Sequence, residues 1–468
     1  MRLRTLAPCL VAASATLGAP RAHAAAPPAP SADAPLAINI PFTKTTLPNG
    51  MTVILNEDHT LPTVVVNIGY WVGSRFEEPK RTGFAHLFEH LMFMGTKRAP
   101  DSNFDVWMEA AGGENNAGTS QDRTDYHDQA PSGALDLLLW LEADRLRDLG
   151  ALMTKEKLDL QRNVVRNERR QVIENQPYGI VDLRLPELLY PEGHPYRHPI
   201  IGSHEDLEAA QVEDVKAFFA KYYDPSNASL CVSGDFDPKS TMEKIQTWFA
   251  TIPSKGKPQD PGAPGFDSNV STLKSVVRET VEDKVELPRT FMAWQAPKHF
   301  APGDAELELL ARALSKGKGS RLYKALVYDQ KVAQDVEAEE ANGVLGSQFV
   351  VDATARPGVS LDKLEAAIDA ELAKIRATPL ADEELARAKN GVETSFVWRL
   401  QSPERRANLL NAYQAEVGDP GYAQRDLDRY RKASAAGVRD VAARVVDPKA
   451  RVILRVVPKA EPKAGGAK

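Results

Sequence analysis

Residues 82–95, TGFAHLFEHLMFMG, decide how the rest of the chain is read. Phe84, Leu87, Phe88, Leu91 and Met92 recur at i, i+3, i+4, i+7 and i+8, the spacing of one buried helical stripe. The helix they predict carries His86 and His90 one turn apart on a common face, with Glu89 in the same arc. Two imidazoles at i and i+4 can hold one Zn²⁺, and an adjacent carboxylate that is not a ligand can take a proton from the water the metal activates. A core helix whose two histidines bond to nearby carbonyls would show the same stripe. The third ligand decides between these readings.

A long helix is predicted from Thr154, a good N-cap, to Gln176, where Pro177 stops it. Leu158, Val165 and Val172 repeat every seven residues and define its buried stripe, on which Gln161 and Glu168 also fall. A buried carboxylate without a partner is costly, so Glu168 must be paired or coordinate a metal. Arg162, Arg166, Arg169 and Arg170 are near in sequence but off its face, which leaves a remote arginine or a metal as its partner. Glu174 is the next acid in line should Glu168 fail. A rival cluster, His194, His198 and His204, contains Pro195 and Pro199, which prevent a helix and so any fixed common face.

Around these two helices the chain alternates strands and helices from Ile38 to Ile252. Asn49-Gly50 before Met51–Leu55 signals a hairpin, and Thr63–Val72 is rich in strand formers. Residues 253–268 hold Pro, Gly, Lys and Asp with almost no apolar positions, the composition of a linker. A second set follows, with strands near 275–280, 290–295, 347–353 and 451–457. Helices are expected over 304–315, 320–329, 361–377, 382–400, 404–417 and 426–445. The prediction is an α+β fold of two similar-sized domains, 38–252 and 269–458, each a mainly antiparallel sheet with helices packed on it.

The ends read differently. Arg2 and Arg4, the apolar run Leu6–Ala19 and Ala22-His23-Ala24 form a secretory signal with cleavage expected after Ala24, hence a periplasmic or secreted protein. Residues 25–37 are an Ala/Pro-rich leader and 459–468 a Lys/Ala/Gly tail, neither able to build a core. No run is long enough to span a bilayer. The net charge of −6 includes Arg2, Arg4 and Arg21, so the mature chain is more acidic still, which argues against nucleic acid and anionic lipid as partners. Of the two cysteines, Cys9 leaves with the signal and Cys231 lies in the apolar run 228–232 as an inert thiol.

Three blocks, His86–Thr96 (HLFEHLMFMGT), Glu114–Tyr126 (ENNAGTSQDRTDY) and Asn167–Gly179 (NERRQVIENQPYG), resemble in order and spacing the pitrilysin/insulinase-like inverzincin metallopeptidases. The resemblance, to two-domain, processing-peptidase-like members, covers nearly the whole mature chain, though the second half matches by layout more than by motif. It implies one zinc per chain held by His86, His90 and Glu168, with Glu89 as general base. It implies that Asn116 and Ala117 lie on an edge strand that holds a peptide substrate by strand addition, where an ordinary loop-and-strand segment is the other reading. It also implies a closable chamber built with two further domains. Two departures stand out. Gln161 replaces a second Glu that supports the metal shell in the family. Val327 and Gln334 fall where active chambers carry an Arg and, seven residues on, a Tyr, while Arg321 and Tyr328 sit six residues too early. The resemblance therefore implies a heterodimer with a similar subunit that carries the Arg/Tyr pair. A non-catalytic, peptide-holding subunit is the alternative.

Overall fold

The computed structural model describes residues 37–100, 103–267 and 271–459; the signal, nearly all of the leader and all but Lys459 of the tail lie outside them. The described residues from Ile38 onward pack as one compact unit. It is α+β, as expected, with two sheets of mostly antiparallel strands covered by helices.

The first sheet has six strands in the order β1-β2-β6-β3-β5-β4: β1 Thr43–Thr46, β2 Thr52–Glu57, β3 Thr63–Tyr70, β4 Glu114–Thr119, β5 Thr124–Pro131 and β6 Ala228–Gly234. Only β2 and β6 run parallel. The Asn49-Gly50 signal is a hairpin turn between β1 and β2, with Gly50 at φ +89°. A Cβ there would stand 2.8 Å from Ser226 Cβ, so conformation and space both require glycine. β3 and β6 are buried on both faces, whereas β5 alternates and β4 forms one edge of the sheet.

The second sheet has five strands in the order β7-β11-β8-β10-β9: β7 Val277–Asp283, β8 Arg289–Ala296, β9 Ala333–Ala341, β10 Ser347–Ala355 and β11 Val452–Pro458. Here only β7 and β11 are parallel. A helix late in the chain, Pro403–Val417, packs on the first sheet. Its Asn411 amide donates to Asn67 O (3.0 Å) and Oδ1 (2.6 Å) within β3. Arg406 donates to Asp58 at 2.5 Å. One apolar cluster accordingly joins Ile54, Val65 and Cys231 of the first sheet to Met292 and Leu410. Cys231 is a free, buried thiol whose pKa burial pushes up.

Several elements depart from expectation. The helix predicted over 426–445 is two, Ala423–Lys432 and Ala435–Val445, because the Ser434 side chain accepts from Gly437 N and starts a new helix. β9 and the helix Ile180–Leu189 carry no strong periodicity and were not expected. The helix predicted over 154–176 is α-helical from Lys155 to Arg169, then widens into a π-turn, Arg170–Glu174, closed by Asn175 N to Arg170 O (2.8 Å). In the wider turn each residue advances less about the axis. Val172 therefore misses the stripe and is exposed, while Ile173 takes the buried place beside Leu158 and Val165.

Candidate metal centre

The stripe of residues 82–95 folds as read: a helix spans Phe84–Leu91, and Phe84, Leu87, Phe88, Leu91 and Met92 are buried. Its N-terminus is fixed by a side chain that no spacing rule singles out. The Glu77 carboxylate, with no solvent exposure, accepts from Gly83 N (2.9 Å) and Ala85 N (2.7 Å). An acid suits that helix end, although burial pushes its pKa well up. Gly83, at φ +86°, lets the chain pass where a Cβ would be 2.6 Å from Ile201 O.

His86, Glu89 and His90 share the opposite face. One ligand atom from each lies within 4.8 Å of the others. The Lys155–Arg169 helix packs beside this one and supplies Glu168. Its Oε1 is 3.6 Å from His86 Nε2 and its Oε2 is 3.1 Å from His90 Nε2. Glu168 is one-third exposed rather than buried, opening onto the cavity.

A hydrogen bond between imidazole and carboxylate sits near 2.9 Å. Ligand atoms on two corners of a tetrahedral zinc site, each about 2.0–2.2 Å from the ion, stand roughly 3.3–3.5 Å apart. The two nitrogen–oxygen distances straddle that value, and two imidazoles with one carboxylate are a zinc donor set, so these residues fit the ion. Burial, then the neighbouring His90, lowers the His86 pKa to about 4, which keeps its ring neutral as a ligand must be. His86 Nδ1 is buried with no protein hydrogen-bond partner.

Glu89 is held by Thr119, whose hydroxyl donates to Oε2 at 2.5 Å. Burial raises the Glu89 pKa and the Thr119 bond opposes the rise. Thr119 is the last residue of β4, two residues beyond Ala117 and within the block Glu114–Tyr126. Asn116 and Ala117 lie on the same strand, whose outer edge pairs with no other strand among the described residues. Ala117 N donates to the Asn116 side chain at 2.8 Å. Gln161 donates to the Met94 sulfur at 2.7 Å rather than to His86, His90 or Glu168.

These groups open on a cavity of about 950 Å³. Its near wall is β4 and the helix face; its far wall comes from the second sheet through Phe291, Glu339, Gln348, Val350 and Asp352. That wall is a long-range contact no local pattern announces. The rival histidines go to separate partners. His194 accepts from Tyr196 N and stacks on Tyr190, His198 lies 3.6 Å from Glu77, and His204 meets Glu174 at 2.8 Å. Glu174 also pairs with Arg169, which occupies it away from the cluster. Arg321 is held by Glu384 at 2.6 and 2.7 Å, and neither it nor Val327, Tyr328 or Gln334 lines the cavity.

The model of the family described as insulinase, peptidase family M16, matches residues 52–199. That of the peptidase M16 inactive domain matches residues 209–392. A zinc protease of Helicobacter pylori, PqqE, is 29% identical over 370 residues, covering 79% of this chain and 82% of that protein. The crystal structure of a protease from Helicobacter pylori superposes with a TM-score of 0.82 at 25% identity, over 89% of this chain and 99% of that one. The periplasmic protease PqqL from Escherichia coli shares the fold (TM-score 0.73, 18% identity), with 91% of this chain covering 48% of that one.

Proposed function

The chain belongs to the insulinase family of peptidases, M16, and from that premise we propose that it is a zinc-dependent endopeptidase of oligopeptides or unfolded polypeptide segments. The observation that carries the reading is the convergence of His86, His90 and Glu168, with Glu89 beside them, under a free sheet edge. The three would hold one Zn²⁺ per chain; once bound, the ion would polarise the scissile carbonyl and acidify a water. Glu89 takes the water's proton and later passes it to the leaving amine. Thr119 pins one oxygen of that carboxylate and leaves the other for the proton. Asn116 and Ala117 would hold the substrate backbone by strand addition, a peptide carbonyl displacing the Asn116 side chain from Ala117 N.

Metal analysis of the purified mature chain tests the site directly. About one zinc per chain is expected, falling in each of His86→Ala, His90→Ala and Glu168→Ala. Full occupancy in Glu168→Ala would move the third ligand elsewhere. Gln161 stands where an acid would support the metal shell, so Gln161→Glu should tighten zinc in a chelator competition; unchanged or weaker binding would reduce Gln161 to packing on Met94.

The match of residues 209–392 to an inactive domain, and the absence of an Arg/Tyr pair from the cavity, favour a divided enzyme. In this reading the chain is the zinc-bearing subunit of a heterodimer, and a similar subunit closes the chamber and supplies the pair. That the chain spans about half of a longer protein of the same fold supports such pairing. A non-catalytic peptide-holding role is the second reading, and it predicts no hydrolysis with any partner. The features of residues 1–24 support a periplasmic or secreted location. Among the described residues no helix is long and apolar enough to cross a membrane.

A further inference from the structure

The chemistry above leaves unused a fully buried guanidinium where the two walls of the cavity meet. Arg75 has no solvent exposure and lies over the Phe76 ring. Its Nε is 2.8 Å from Asp122 Oδ1, and its two terminal nitrogens bind Asp260 at 2.5 and 2.8 Å. Asp260 belongs to the irregular stretch between the two sheets, and Asp122 to the turn that joins β4 to β5. That turn is gripped from one side by backbone: Ser74 N and Arg75 N donate to Ser120 O (3.2 Å) and Gln121 O (3.0 Å). From the other side Asp122 reaches the turn joining β9 to β10. Its Oδ2 accepts from Val344 N (3.2 Å), and its Oδ1 accepts from the Tyr196 hydroxyl (2.7 Å), whose oxygen accepts from Leu345 N (3.0 Å). A Cβ on Gly343 would stand 2.7 Å from the Tyr196 ring, so the β9–β10 turn packs closely on the residue that bridges it to Asp122.

Burying an arginine and an aspartate together seldom stabilises a fold more than apolar packing would, and the best-attested use of such pairs is to fix a register. The register fixed here is between β4, which carries the free edge, and β9–β10, which carry the opposite wall. We propose that Asp122, held by Arg75 and bridged through Tyr196, is a positioning residue for peptide binding: it sets the width of the slot in which a peptide strand lies against β4. The inference rests on the peptidase reading. A peptide added to β4 lies about 4.8 Å from it, and Thr119, which holds Glu89, adjoins the gripped turn at Ser120. Loosening the turn widens the slot and weakens the pairing of the peptide with β4, while Glu89 stays held by Thr119, so the loss falls on binding.

The test is Tyr196→Phe, which deletes one hydroxyl and keeps the ring, alongside Asp122→Asn. Hydrolysis of a quenched fluorescent, unstructured peptide is measured in the assembly that shows activity, together with zinc content and amide exchange at Val344 and Leu345. Tyr196→Phe should keep its zinc, exchange faster at Leu345 and raise KM roughly two- to tenfold, the worth of one buried hydrogen bond. Its kcat should move less than its KM. Asp122→Asn should do the same more strongly, and if it fails to fold, Tyr196→Phe still decides. Parental KM in Tyr196→Phe, or an unchanged Leu345 exchange rate, would overturn the inference alone. A zinc-loaded parent that cleaves no peptide in any assembly would overturn the peptidase reading and this inference with it.

Discussion

β4 and β9 are outer strands of the first and second sheets, and both contribute to the cavity wall. They are equipped in opposite ways. β4 carries a single charge, Glu114, on six residues, with Asn, Ala, Gly and Thr elsewhere. β9 carries Asp335, Glu337, Glu339 and Glu340 on nine. Charge on an edge strand repels a further strand, and natural sheets use it to stay unpaired. The first sheet therefore keeps its edge open beside His86, Glu89 and His90, while the second defends its edge and serves as a wall. One layout, used twice, has been given two tasks by the choice of side chains along two strands.

The sharpest way to break that contrast is at Glu89. Glu89→Gln keeps shape and the three proposed ligands but removes the proposed base, so zinc content should hold while peptide hydrolysis falls by about 10²- to 10⁴-fold. Glu339→Gln, an acid lost from the far wall, should change the rate by less than about twofold, as a surface substitution away from the reacting atoms does. Parental turnover in Glu89→Gln would remove the first half's special role.

Next in size is the effect of a second subunit. Val327 offers neither charge nor hydrogen bond, and Gln334 cannot replace a phenol beside a developing oxyanion. Missing electrostatic help of this kind typically costs on the order of 10²- to 10³-fold. Adding a similar chain that lacks the zinc motif but carries the Arg/Tyr pair should restore that factor. An isolated chain already at full rate would show that the second half needs no complement.

The edge itself can be re-armed. A Cβ on Gly118 meets nothing within 4 Å, so a side chain fits there. Gly118→Glu gives β4 the kind of charge β9 bears and should raise KM roughly fivefold, about 1 kcal/mol of strand pairing, with Gly118→Ala near parental. Equal KM values for Glu and Ala variants would mean that the peptide does not pair with β4.

Much of the first half could be read in advance because its signals are local. The stripe from Phe84 to Met92 and the seven-residue step from Gln161 to Glu168 each lie on one helix, so periodicity alone places them. Val172 escaped the same logic because a π-turn changes the angle per residue just before it. Thr119 and Glu77 act on the motif helix from separate elements, and the far wall depends on how two sheets face each other. None of these leaves a repeat in the sequence. β9, AQDVEAEEA, hides its strand because the charges that guard an edge also erase strand-like alternation.

The last expected effect is on stability rather than turnover, and it contrasts the buried charges of the two halves. In the first, Asp128 is fully buried beside Glu142, which is itself bound by Arg145. Two acids thus share one arginine, and neither Asp128 oxygen receives a donor. Burial, then Glu142, raises the Asp128 pKa well above its ordinary value. In the second half Glu365 receives Arg455 (2.6 Å), Arg278 (2.7 Å) and the Thr290 hydroxyl (3.0 Å). Burial alone would raise its pKa, but these bonds outweigh it and the net shift is downward. The linkage signs are therefore opposite. Folded Asp128 holds a proton that the unfolded chain releases above about pH 4, so its contribution to stability falls as pH rises from there towards its raised folded pKa. Glu365 contributes fully above the unfolded carboxylate pKa and loses that contribution as pH falls towards its lowered folded value. Denaturation curves from about pH 2 to about pH 9 should separate the two. Asp128→Asn, which needs no proton, should gain on the parent as pH rises. Glu365→Gln should be weaker than the parent at neutral pH by roughly 1.5–3 kcal/mol, the worth of a hydrogen bond to a charged group, and approach it in acid. Parallel curves for both variants would mean that the two clusters titrate alike, and that this difference between the halves lies in their geometry and not in their protons.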